Sequence, residues 1–241
     1  MAQSLFRSIR MKLLDEGKLL RYLTYAIGEV ILIIVGIMIA LQLNNWNEDR
    51  KAQVEFDEYI VQLREDVKGA IESTKHSVGL NERFRSECEI VLTFLELSDY
   101  GKEELAAFET GLTRLGVANQ IYVYIGVLGE LMNGHMEIIG RDPGLTMQAQ
   151  MMVTKVGRRL ANIDLIQNKL TLASDRLIQF RSRGDNSDGK PPRYNLDNLK
   201  SSDEFIYTAD TIISEIGNVI FHAEDIIRVF EEFLAVLEEY E

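Results

Sequence analysis

A chain of 241 residues with 46% hydrophobic side chains has material for a sizeable core, and its formal net charge of −12 argues against nucleic acid as a partner, since no basic stripe is present to neutralise phosphates. The single cysteine, Cys88, excludes an intramolecular disulfide, so the fold must hold by packing in any redox compartment. The acidity is unevenly spread: Arg7, Arg10, Lys12, Lys18 and Arg21 precede the first long apolar run against only Asp15 and Glu16, and the acidic excess follows it.

Residues 1–17 form a basic segment in which Leu5, Phe6, Ile9, Leu13 and Leu14 fall on one side of a helix and the cations point elsewhere. This is the pattern of a short interfacial helix on anionic headgroups, each cation contributing about 1 kcal/mol near the surface. The simpler reading makes the same cations plain flanks of a membrane span. Gly17 allows the turn into the next segment.

Residues 18–45 read as a transmembrane helix. From Tyr22 to Leu43 the roughly 20 apolar residues suffice, at 1.5 Å rise each, to cross about 30 Å of hydrocarbon. The run exceeds a signal-peptide core and lacks a small-x-small cleavage site, so it is expected to be an uncleaved, single-pass signal anchor. Lys and Arg beside a span stay cytoplasmic, which puts the N-terminus inside and residues 46–241 outside. Trp46, after Gln42, Asn44 and Asn45, suits the outer interfacial belt.

Glu29 is the anomaly in this helix. A carboxylate at that depth costs a few kcal/mol, so it should be protonated, paired or turned toward protein. Glu29 and Gly36 stand seven apart and Gly36-x-x-x-Ala40 is a small-x-x-x-small pair, so one face joins the polar group to residues that permit close helix approach. Two readings compete: a proton or ion group in an oligomer, and a carboxyl near the cytoplasmic interface that reaches headgroups or Arg21.

Beyond the span the spacing predicts helices throughout. Ile60, Leu63, Val67, Ile71, Thr74, Val78, Phe84, Cys88, Val91 and Leu95 recur at steps of three and four, with bends expected at Gly69 and Gly79 and an end at Ser98–Gly101. A second helical region covers 102–133 with a break at Gly116; the turn residues of 134–144 then mark a connection. A third helix fits 145–182, with apolar Met152, Val156, Leu160, Ile163, Leu170, Leu177 and Phe180, and the breaker-rich stretch 183–193 is the one long loop. Ser201 with Glu204 three on makes a capping box for the last helix. There Phe205, Ala209, Ile212, Ile216, Val219, Ala223, Ile226, Phe230, Phe233 and Leu237 form one row, and Ile206, Ile213, Ile220, Ile227 and Leu234 a second. So wide an apolar face wants partners on two sides, as in an all-α, up-down-up-down four-helix bundle whose turns near Tyr100 and Arg193 lie far from the membrane. Tyr122–Ile125 is β-prone but too isolated for a sheet.

No phosphate loop, HExxH helix, GxSxG elbow, Rossmann glycines or paired CxxC occurs. A di-metal bundle site needs Glu-x-x-His on two helices, but His76, His135 and His222 follow Ser73, Met132 and Val219 at that spacing. Met132, Met136, Met147, Met151 and Met152 read as core filling or as a soft, adaptable surface. Cys88 reads as a small hydrophobe. No catalytic, cofactor or metal residue is assigned.

The N-terminal pattern Phe6-Arg7-x-Ile9-Arg10-x-Lys12-Leu13-Leu14, Gly17-Lys18, Tyr22-Leu23-x-Tyr25-Ala26-Ile27-Gly28-Glu29 and Gly36-Ile37-x-Ile39-Ala40-Leu41-Gln42-x-Asn44-Asn45-Trp46-Asn47-Glu48 resembles an uncharacterised family of bacterial single-span membrane proteins, a domain of unknown function. Asn133-Gly134-x-Met136-x-Ile138-Ile139 is similar to a second element of that family. The resemblance implies an inner-membrane protein with a helical exterior domain and brings no activity. The expectation is therefore a non-enzyme without cofactor: a membrane-anchored binding or assembly module that meets the lipid bilayer and itself, as a homo-oligomer through Glu29, Gly36 and Ala40. The alternatives are an accessory subunit bound to other membrane proteins, or an ion- or proton-conducting oligomer using Glu29.

Overall fold

The computed structural model describes residues 18–115, 121, 126–180 and 194–240, with side chains described from residue 23 onward. Among the described residues every regular element is helical: α1 (Lys18–Leu95), α2 (Lys102–Arg114), α3 (Gly126–Met132), α4 (Pro143–Leu177), α5 (Leu196–Ser201) and α6 (Asp203–Glu238), with 3-10 turns at Ile139–Arg141 and Ile178–Phe180. The chain divides into two units, one up to Asp57 and one from Glu58 onward.

In the first unit α1 is apolar on every side but that of Glu29 through most of the stretch around Leu23–Leu43, and none of that stretch is buried. It is long and apolar enough to cross a membrane. Past Leu43 the helix turns polar and supports itself by pairs one turn apart, Asn44 Nδ2 donating to Glu48 at 2.9 Å and Gln53 Nε2 to Asp57 at 2.8 Å.

The second unit holds a core drawn from every long helix. All ten residues of the first α6 row, from Phe205 to Leu237, are buried, and of the second row Ile213, Ile220 and Ile227 are buried too. α4 packs along α6 in antiparallel sense, with Lys155 meeting Glu232 at 3.2 Å and Lys169 meeting Glu215 at 2.9 Å. α1 runs antiparallel to α6, with Arg64 Nη2 donating to the Leu237 carbonyl at 2.9 Å and Lys75 paired to Glu231 at 2.8 Å. α2 returns beside α1 close enough that Arg114 reaches Glu87 at 3.0 Å. The Leu128 N–H of α3 donates to Asp66 on α1 at 3.1 Å.

Several local expectations are corrected. α1 is not interrupted at Gly69 or Gly79; one glycine costs a helix about 1 kcal/mol, and the buried Val67, Ile71, Thr74 and Val78 lie around them. The cap of α6 is Ser202, which accepts from the Phe205 N–H at 3.2 Å, while Ser201 Oγ donates back to the Asp197 carbonyl at 2.8 Å, so Ser201 and Glu204 make no capping box. The reciprocal half of such a box occurs on α2, where the Gly101 N–H donates to Glu104 at 2.9 Å. α4 begins at Pro143, capped by Asp142, which accepts from the Leu145 N–H, and it gives way to a 3-10 turn at Ile178. The expected break at Gly116, the β-prone 122–125 and the loop 183–193 lie outside the described residues.

Candidate functional site

At 3.6 residues per turn, Glu29, Gly36 and Ala40 share one side of a helix, and α1 is unbroken across all three, spanning about 16 Å along the axis. All three are exposed, and a Cβ built at Gly36 or at the neighbouring Gly28 meets nothing within 4 Å. The face is polar at Glu29 and small at Gly36 and Ala40, with Ile33 between them, and like the whole of this stretch it is exposed. Trp46 lies a turn past the apolar stretch, 66% exposed. Lys18 and Arg21 fall in the first turns of α1, whereas Arg7, Arg10 and Lys12 lie outside the described residues.

The second unit gathers its polar chemistry between α4 and α6. Asp225, buried on α6, pairs with Arg159 of α4 and, at 2.7 Å, with Arg228, while Arg159 Nη1 lies 3.5 Å from His222 Nδ1. Sequence reasoning missed this cluster, because residues 66 positions apart in the chain carry no mark of pairing. Burial first, and Arg159 second, hold the His222 ring below its ordinary 6.5. His76 and His135 are exposed, and no group of three His, Cys, Asp or Glu that could hold a metal occurs among the described residues. Cys88 is fully buried, and burial pushes its thiol up to about 12, the behaviour of a small hydrophobe and not of a nucleophile. Of the five methionines around the 134–144 connection Met152 is buried, Met132 and Met136 are half-buried, and Met147 and Met151 are exposed, so core filling does not account for the last two.

Acid should weaken the fold in two separate windows. Above pH 6.5 His222 is neutral folded and unfolded; below it the unfolded chain binds the proton more readily, so stability falls as pH falls. Asp142, which accepts from the Leu145 N–H and the Tyr240 hydroxyl, is held below its ordinary 3.8, so its stabilisation is present above that value and is lost as pH drops through the lower folded one. Urea unfolding between about pH 7 and 5 should show the first window flattened by His222→Gln. An unchanged slope in that variant would assign the loss to other groups.

Residues 29–114 match a family of unknown function, DUF6090. No curated protein and no solved structure matches the chain. The DUF6090 segment opens at Glu29 and closes at Arg114, the last residue of α2, so it takes in the Glu29–Gly36–Ala40 face and the pairing of α1 with α2. An uncharacterised family was the expectation. The segment matched is displaced from residues 6–48, and the two overlap at 29–48.

Proposed function

We propose that the chain is a membrane-anchored helical binding or assembly module that self-associates through α1, and not an enzyme. One observation carries the reading: Glu29, Gly36 and Ala40 lie on one open face of a helix apolar enough to span a membrane. In hydrocarbon the hydrophobic effect does not press helices together, so a carboxyl and small residues on one face find their stable setting against another helix, each contact contributing about 0.6–2 kcal/mol.

In this reading Lys18 and Arg21 mark the cytoplasmic side of a bacterial inner membrane and the acidic unit after Asp57 lies in the periplasm. That unit is an up-down-up-down four-helix bundle of α1, α2 with α3, α4 and α6, a topology supported by the antiparallel pairings of α1 with α2 and α6 and of α4 with α6. Lipid and a second copy are its partners.

Gly36→Leu should lower the native mass in mild detergent, because the added side chain holds helices apart. Glu29→Gln, which still offers a hydrogen-bonding group, should keep the parental mass. A second reading, proton or ion conduction, is favoured by the same Glu29; it requires that flux into liposomes vanish in Glu29→Gln, since an amide cannot exchange a proton. If Gly36→Leu runs at the parental mass, the helix is an anchor only.

A further inference from the structure

Where α6 meets α4, its acids are answered by cations: Glu215 by Lys169, Asp225 by Arg159 and Glu232 by Lys155. Past the Lys75–Glu231 pair, along the last turns of α1, they are not. Glu82 and Glu89 on α1 and Glu96, just past its end, stand seven apart, and Asp203, Asp210 and Glu224 keep multiples of seven on α6, so the antiparallel pair carries two acidic rows. Two hollows of about 550 and 660 Å³ lie along these rows, the first lined by Glu96, Asp203 and Asp210 and the second by Glu82, Glu89 and Glu224. The first hollow offers the apolar side chains Leu92, Leu95 and Ile206, whereas the second is mainly polar around Ile220, and Tyr207 and Phe221 in their linings stand 70% and 54% exposed. Both cations of the groove are already engaged: Arg85 pairs with Glu89 at 3.1 Å, and Lys200 donates to the Leu97 carbonyl at 2.6 Å. Glu82, Glu96, Asp203, Asp210 and Glu224 have no ion pair among the described residues.

The geometry points to a basic amphipathic helix of a partner protein as the occupant of this groove. It would lay an apolar stripe on Leu92, Leu95, Ile206 and Tyr207 and set Lys or Arg, at seven-residue spacing, against the two acidic rows, as α4 does on the other side of α6. Asp203 to Glu224 covers about 32 Å, the length of about six turns of partner helix. The inference rests on reading the chain as a binding module, but it fails separately from self-association, because changes in the groove leave the span untouched.

The test uses the full chain in zwitterionic lipid nanodiscs and a fluorescent synthetic helix of leucine and lysine, leucines on one stripe and lysines seven apart, with empty discs subtracted. The probe should bind more weakly as salt rises. Glu96→Gln, Asp203→Asn and Asp210→Asn combined should weaken it about tenfold, since three partly exposed ion pairs are removed. Glu103→Gln, Asp164→Asn and Asp175→Asn combined remove the same charge from other surfaces and should change affinity less than about twofold. A photo-crosslinker replacing Tyr207 should capture the probe, and one replacing Leu165 should not. Absence of binding, equal losses in the two triple variants, or capture from position 165 alone would overturn the proposal. So would a fall in native mass with Tyr207→Asp, which would make a second copy the occupant.

Discussion

Alanine at Gly111 should destabilise the helical domain, while the same change at Gly157 should stabilise it. Gly111 is buried in α2 where that helix crosses α1; an added Cβ would lie 2.2 Å from the Glu87 carbonyl oxygen and 2.7 Å from Val91 Cγ2. Intrinsic propensity favours alanine by about 1 kcal/mol in either helix. At Gly111 a backbone oxygen cannot swing aside, so the helices must part, and overpacking of this kind costs about 1–3 kcal/mol. The net loss, up to about 2 kcal/mol, lowers the thermal midpoint of a domain this size by up to roughly 8 °C. At Gly157, exposed on α4 with nothing within 4 Å of the new Cβ, only the propensity gain remains, about 0.5–1 kcal/mol. Circular dichroism melts of the two variants decide it. A Gly111→Ala midpoint at or above the parent's would mean that α2 can lift from α1 without loss.

This crossing also marks where sequence reading stops. The apolar rows of α1 and α6 were legible because a period sustained over ten positions leaves little choice of face, and the buried row from Phe205 to Leu237 follows it residue for residue. The register of Glu29, Gly36 and Ala40 was legible for the same reason, since it needs only an unbroken helix. The cap of α6 was missed by one residue, because Ser201 and Ser202 are chemically equal candidates and only the entry angle of the chain chooses between them. Gly69 and Gly79 do not interrupt α1, because a propensity difference of about 1 kcal/mol is small beside the packing around them. The second row of α6 announced a need for partners on two sides, yet which acids line a groove depends on which helix lies across it. Gly111, the Arg159–Asp225 pair and the acidic rows of 82–96 and 203–224 exist only as relations between distant segments.

Phe108→Ala should be among the most damaging single truncations in the second unit. With 13 residues, α2 is near the length at which an isolated helix is marginal in water, so its place depends on the face it buries. Phe108 is the centre of that face: fully buried, it stacks on Phe94 of α1 at 4.4 Å with the rings 25° apart, and it meets the edge of Tyr194 at 5.4 Å. Phe94 in turn touches Tyr100 in the connection between α1 and α2, at 4.7 Å, and the Tyr194 hydroxyl donates to Glu109 at 3.1 Å. One ring thus ties the end of α1, the start of α2 and the approach to α5. Removing it leaves a cavity bordered by rings that cannot collapse together, at a cost of about 3–5 kcal/mol, or roughly 6–20 °C in midpoint. Phe108→Leu, which keeps much of the volume, should lose far less. Phe84 supplies the comparison at a half-buried position, with Arg114 4.9 Å above its ring; its truncation leaves an opening that water can fill and should cost under about 2 kcal/mol. Urea unfolding of the three variants ranks them. A Phe108→Ala midpoint no lower than that of Phe84→Ala would mean that α2 is held by its contacts at Gly111 and Arg114, and that the ring cluster merely closes the turn.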